Sequence, residues 1–314
     1  MARNRTKKKT LVKQIEEIFN SKLTIGESKK NDKPIYARDE NGKILKDTNG
    51  NKIYIQKDLT LNKIYSWDTY KSYMKHANYF AKWCREKYKI NDIKKAKQYV
   101  NEYLQERIDA DLSTYTVKLD AQALAKLYGC RATDFIKTPS RERAKITRSR
   151  EVAARDKHFS ETKNKNLITF CKCTGLRRAE LKQIRGTDLI NNNGKYYLKI
   201  TCNTKGGRER ISPIVGSEQE IKTVLNLLYE AKEDKVFSKV HSAADIHSYR
   251  SEYCTRVYKL HARPITEITN KREIYHCKKD LSGTHYDKRA MKIASEALGH
   301  SRISVIAEHY LRNL

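Results

Sequence analysis

Thr174-Gly175-Leu176-Arg177-Arg178-Ala179-Glu180-Leu181 places a glycine, two adjacent guanidinium groups and a carboxylate within one short stretch. A helix through Leu167, Ile168 and Phe170 leads into it. Three residues separate Arg177 from Glu180, close to one helical turn, so the carboxylate can lie beside the guanidinium and orient it. A guanidinium donates two parallel hydrogen bonds from a fixed fork, which suits a phosphate. Taken alone, the stretch also reads as an ordinary helix start with surface charges.

Downstream, residues 188–214 run DLINNNGKYYLKITCNTKGGRERISPI. The Asn193-Gly194 and Lys205-Gly206-Gly207 turns divide this run into a three-stranded antiparallel meander. The rest of the chain reads as helical. It carries His247-Ser248-Tyr249-Arg250, then Leu298-Gly299-His300-Ser301, then His309-Tyr310. Ile303, Ile306, Ala307 and Tyr310 fall on one helical stripe, so with 20 tyrosines in the chain a core tyrosine is the ordinary reading of Tyr310.

Upstream, residues 1–10 form a basic arm with Arg3, Arg5, Lys7, Lys8 and Lys9. Residues 11–137 read as a helical domain. A short amphipathic helix carries Leu11, Ile15, Ile18 and Phe19, and a long one carries Tyr70, Tyr73, Met74, Ala77, Phe80, Ala81 and Cys84. A third passes through Ala96, Val100, Tyr103 and Leu104, and a fourth follows Ser113-Thr114. Between the first two, residues 34–55 form a strand-like excursion with turns at Asn41-Gly42 and Asn49-Gly50. Residues 138–157 are a basic linker with Arg141, Arg143 and Lys145, which either lies along phosphates or is a solvated tether. No internal repeat or low-complexity block is visible.

The 314 residues suffice for two domains. Lys and Arg number 66 against 37 Asp and Glu, a formal charge of +29 spread along the chain, which points to a polyanionic partner and first to nucleic acid. No apolar run is long enough to span a membrane and no signal-peptide core is visible, so a cytoplasmic, nucleoid-associated protein is expected. The seven cysteines are scattered, without a disulfide framework or a zinc spacing, and no metal is expected.

Four elements in this order resemble the tyrosine recombinases of the phage and conjugative-element integrase type. The arginine after Thr-Gly-Leu, the turn lysine of the meander, His-x-x-Arg and Leu-Gly-His followed by tyrosine match Arg177, Lys205, His247 with Arg250, and His300 with Tyr310. Tyr286-Asp287-Lys288-Arg289 competes for the third element. It lacks the leading histidine, and the helix after it is too short, which leaves about 261–286 as an insertion.

The resemblance implies a mainly α (α+β) fold. A helical SAM-like core-binding domain would precede a mixed catalytic domain, residues 158–314, with a small three-stranded antiparallel sheet. It implies that Tyr310 attacks a DNA phosphate held by Arg177, Arg250 and His300, with Glu180 orienting Arg177. His247 would be the general base and Lys205 the general acid, with Arg208 and Arg210 as cationic neighbours that lower the lysine's pKa. DNA contacts are expected at Lys71, Lys75, Arg85, Lys118, Arg141, Arg143, Lys145 and Arg208. No cofactor is implied. The partners would be double-stranded recombination sites, a homodimer to homotetramer on DNA, and a DNA-bending or directionality factor.

The expected activity is cutting and rejoining DNA through a 3′-phosphotyrosine, in integration or excision of a mobile element. The His300-to-Tyr310 interval is ten residues where nine is usual, which predicts a shifted tyrosine helix. Only Leu311 to Leu314 follow the tyrosine, so protomer contacts are expected elsewhere, in the 261–286 segment or the N-terminal helix. Rival readings are a type IB topoisomerase, a catalytically silent DNA-binding relative and an RNA-binding basic protein. The last explains the charge but none of the motifs.

Overall fold

In the computed structural model the Thr10 side chain accepts from the Lys13 N–H and opens the first helix, α1 (Leu11–Asn20). The structure describes residues 9–140, 159–202, 209–278 and 281–311. The chain divides into two units, 1–145 and 146–314.

In the first unit α1 is followed by β1 (Ile35–Tyr36), β2 (Tyr54–Gln56), α2 (Trp67–Tyr88), α3 (Ile93–Ala96), α4 (Val100–Asp109) and α5 (Thr114–Tyr128). Ser66 and Ser113 cap α2 and α5 through their side chains, and Gly129 ends α5 in the left-handed conformation. The buried faces meet in one core built around Ile15, Phe19, Phe80, Leu104 and Leu124. Each such side chain contributes about 1.5–3 kcal/mol by leaving water. His76 Nδ1 lies 2.6 Å from Asp120 Oδ1, and Arg107 Nε donates to Asp120 Oδ2 at 3.1 Å, so this buried carboxylate is paired on both sides.

The excursion corrects one expectation: it contains a repeat. Asp39-Glu40-Asn41-Gly42-Lys43 and Asp47-Thr48-Asn49-Gly50-Asn51 adopt the same turn, offset by eight residues. Asp39 Oδ1 accepts from the N–H groups of Asn41 and Lys43, and Asp47 Oδ1 accepts likewise from Asn49 and Asn51. Gly42 and Gly50 take φ +77° and +78°, where other residues are strained. Three backbone hydrogen bonds then close a ring: Ala37 N–H to the Ile53 carbonyl, Ile53 N–H to Leu45, and Leu45 N–H to Ala37. The period escaped notice because only the Asp-x-Asn-Gly turn repeats, and only twice.

The second unit runs α6 (Lys165–Thr174), α7 (Arg178–Leu181), β3 (Leu189–Asn192), β4 (Lys195–Ile200), β5 (Arg210–Pro213), α8 (Glu218–Ala231) and α9 (Ile246–His261). Then come β6 (Ile274–His276), β7 (His285–Asp287), α10 (Lys288–Ala297) and α11 (Ser304–His309). The three strands form the antiparallel sheet β3-β4-β5, with Leu189 opposite Leu198 and Ile200 opposite Arg210. Between α9 and α10 the chain makes short turns and the β6–β7 hairpin. The fold is mainly α with small antiparallel sheets. Phe170, Leu176, Leu181 and Leu198 lie in one buried cluster; Tyr253, Met291, Leu298 and Tyr310 lie in another.

Candidate active site

Gly175 ends α6 with φ +61°. A Cβ there would stand 2.2 Å from Cδ1 of Tyr253, so the position demands glycine for both backbone and space. The turn delivers Arg177 to the N-terminus of α7, where the Glu180 carboxylate reaches back to it. Glu180 accepts from the Arg177 N–H at 2.7 Å and from Nη1 at 2.8 Å.

Glu180 is 2 % exposed and holds a second arginine. Arg210, from β5, donates Nη1 to Oε1 at 2.8 Å and Nη2 to Oε2 at 2.7 Å. Burial alone would raise the Glu180 carboxyl, but the hydrogen bonds and charge of Arg210, followed by those of Arg177, override it and hold the group at about 2. Arg210 was expected to be a cationic neighbour of Lys205. Lys205 lies outside the described residues, and among those that are described the Arg210 guanidinium is paired with a buried carboxylate. The signal was in the alternation of β5. Arg210, Ser212 and Ile214 share the inward side while Ile211 points out at 58 % exposure.

Arg250 lies on α9, whose start is capped by the Asp245 side chain. It is 3 % exposed. Nη1 donates to the Gly175 carbonyl, Nη2 to the Leu298 carbonyl, and Nε to the Tyr310 hydroxyl oxygen at 3.3 Å. Arg177 Nη2 donates to the same Leu298 carbonyl at 3.1 Å. Burial pushes the Arg250 guanidinium below its ordinary range; Tyr310 opposes this and the Arg177 charge adds to it. Ala297 and Leu298 end α10, and their carbonyls receive Arg210, Ser212, Arg177 and Arg250. The negative end of a helix thus offsets the repulsion among three clustered arginines.

Tyr310 follows α11 and is 6 % exposed. Its ring packs in the cluster containing Ile306 and Ala307, so it is a core tyrosine. Its hydroxyl nevertheless reaches polar groups: besides Arg250, His300 Nε2 lies 3.1 Å away. The His247 ring is tilted against the Tyr310 ring with centroids 5.4 Å apart. Ser251 Oγ donates to the Tyr310 carbonyl at 2.6 Å, tying the tyrosine's backbone to α9.

The structure therefore brings together Arg177, Glu180, His247, Arg250, His300 and Tyr310. Two further arginines support them: Arg210, and Arg178, which had no role in the sequence reading and whose Nη groups bind the carbonyls of His241 and Ala244 just before α9. In the competing stretch the Tyr286 hydroxyl donates to the Leu311 carbonyl at 3.1 Å. Asp287 caps α10 and pairs with Arg263, and Arg289 is exposed. Lys205, Arg208, Arg141, Arg143 and Lys145 lie outside the described residues. Lys71, Lys75 and Arg85 are exposed on α2, on one helical stripe with Lys82, while Lys118 is half-buried on α5. Among the described residues no group of three or more His, Cys, Asp or Glu could hold a metal ion, and no helix is long and apolar enough to cross a membrane.

No family model matches the chain, and no curated protein matches it. Solved structures do. The chain is similar to the Tn1549 transposon integrase in complex with circular intermediate DNA, at 14 % identity and TM-score 0.40, covering 76 % of this chain and 88 % of that one. It is similar to XerH site-specific recombinase bound to a palindromic difH substrate, at 16 % identity and TM-score 0.49, over 76 % and 75 %. A third likeness is to XerA recombinase, at 16 % identity and TM-score 0.33, over 79 % and 89 %.

Proposed function

We propose that this chain is a tyrosine site-specific recombinase that cuts and rejoins DNA through a 3′-phosphotyrosine, in integration or excision of a mobile element. One observation carries the reading: the Tyr310 hydroxyl is gripped by Arg250 and His300 while Arg177 hangs from the same Leu298 carbonyl as Arg250.

That arrangement suits phosphoryl transfer to tyrosine. An entering phosphate offers charged oxygens to Arg177 and Arg250, stronger acceptors than the carbonyl they now share. The Tyr310 oxygen attacks phosphorus, its proton passes to His247, and the bond from phosphorus to the 5′-oxygen breaks. Lys205 protonates that oxygen as it leaves. A free tyrosine hydroxyl ionises near pH 10, so without a base the attacking anion would cost about 4 kcal/mol at neutral pH. Negative charge gathers on the non-bridging oxygens in the transition state, where both arginines and His300 are already placed to receive it. The products are a 3′-phosphotyrosyl bond and a 5′-hydroxyl. Because the bond is conserved in energy, a 5′-hydroxyl from another strand can reverse the step.

The cationic stripe of α2 and the linker arginines would follow DNA phosphates, with a homodimer or homotetramer assembling on two sites and a DNA-bending or directionality factor assisting. The test is a nicked duplex carrying the target site, incubated with wild type and Tyr310→Phe and resolved under denaturing conditions. A covalent protein–DNA species with wild type alone is expected. The same species with Tyr310→Phe overturns the assignment. Relaxation of a supercoiled circle without a partner site would instead mark a topoisomerase.

A further inference from the structure

We infer that Arg210 is a positioning residue, which acts through Glu180 and the end of α10 to hold the Arg177 guanidinium in register with the turn that presents His300. The inference rests on the recombinase reading and gives Arg210 a role that the reading does not.

Three contacts define its place. Both Nη groups hold the two oxygens of Glu180 at 2.8 and 2.7 Å, and Nε donates to the Ala297 carbonyl at 3.0 Å. The side chain is 5 % exposed. It also fills the space under Gly299, where an added Cβ would stand 3.0 Å from Arg210 Cδ and 3.2 Å from Nη1. Gly299 takes φ +69° and directly precedes His300. One buried side chain thus joins β5 to the carboxylate beneath Arg177 and to the turn leading to His300.

The geometry explains why an arginine is needed. A carboxylate with two oxygens and one guanidinium partner can rotate; with two partners on opposite sides it cannot. Arg210 grips both oxygens from β5, while Arg177 reaches Oε2 with its backbone N–H and Oε1 with Nη1. Without Arg210, Glu180 would turn toward Arg177, and Arg177 Nη2 would leave the Leu298 carbonyl that sets its distance from Arg250. A lysine keeps the charge but has no fork.

The experiment measures single-turnover covalent-complex formation at saturating protein, with thermal melting recorded for every variant. Arg210→Ala and Arg210→Lys should slow cleavage on the order of 100-fold, the scale of a 1 Å misplacement. DNA affinity, read in the Tyr310→Phe background, should move by less than about threefold, since the recombinase reading leaves most phosphate contacts to α2 and the linker. Adding Arg210→Ala to Arg177→Ala should cost less than about threefold further, because a residue acting through Arg177 has nothing left to position. Arg210→Lys serves as the folded variant should the alanine melt early.

Cleavage by either Arg210 variant at the wild-type rate overturns the inference. So does an equal loss with and without Arg177, which marks a general structural role. No covalent complex from wild type removes the recombinase reading itself, and the positioning role with it.

Discussion

The Nε2 atom of His300 lies 3.1 Å from the hydroxyl oxygen of Tyr310. The contact forms across the ten-residue interval that had suggested a displaced tyrosine. The interval is accommodated by α11, a short helix beginning at Ser304, whose Ile306 and Ala307 are buried and anchor the tyrosine backbone.

His300 reaches this hydroxyl while the His247 ring packs against the Tyr310 ring, and the two imidazoles should be separable by pH. With His247→Ala the cleavage rate should climb steeply between pH 6 and 9, close to tenfold per unit, because an unaided phenol must ionise by itself. With His300→Ala the rate should fall about 10²–10³-fold without that slope, as a donor to the phosphate is lost. Single-turnover cleavage across this range decides it; the steep profile appearing in His300→Ala would exchange the two roles.

Gly175→Ala should destabilise the protein by about 2–5 kcal/mol. It combines left-handed backbone strain with a Cβ driven into the Tyr253 ring. The Gly175 carbonyl also receives Arg250, so cleavage should fall along with stability. Urea unfolding and single-turnover rates measure both; an unchanged unfolding midpoint would contradict this packing.

Glu180 sits at about 2 against an ordinary 4.5, so it binds fewer protons folded than unfolded between those values. Its stabilisation is complete above about pH 4.5 and drains away as pH falls toward 2. The shift corresponds to about 3 kcal/mol. Glu180→Gln should lose about 3–5 kcal/mol at neutral pH by stranding buried Arg210. The gap to wild type should then narrow on acidification. Denaturant melts from pH 6 to pH 2.5 test this, and a constant gap would refute it.

Lys126 is lowered as well, at the basic end of the scale. Burial, then the charges of Lys22 and Lys29, lower it to about 8, while its ammonium donates to the carbonyls of Thr60 and Lys63. The unfolded chain therefore holds more protons between pH 8 and 10.5, and wild type should gain stability over Lys126→Gln as pH rises through that window. Parallel thermal melts at pH 7.5 and 10 should show the difference growing with pH.

Much of the site was legible because its residue types are chemically constrained. Arginines for phosphate, histidines near a tyrosine and a glycine before Leu176 are visible as letters. The helices were legible for a similar reason, since Ile15, Phe19, Phe80 and Leu124 repeat at helical spacing. What stayed hidden depends on partners distant in sequence. Arg210 looked like one more cation on a basic chain until its inward alternation with Ser212 met Glu180, thirty positions away. The Leu298 carbonyl had no side-chain signature at all. It matters only because α10 ends beneath two guanidinium groups.

The closed ring of hydrogen bonds through Ala37, Leu45 and Ile53 restricts how the excursion can change length. Each of these residues gives its N–H to one neighbour and its carbonyl to the other, so one added residue would put the next rung out of phase. Growth or loss is compatible with the ring only in whole octads that carry their own Asp-x-Asn-Gly corner. The same closure leaves these rungs no spare donor or acceptor for a passing strand, which keeps a lysine-rich, isoleucine-bearing surface element from pairing edge to edge with copies of itself.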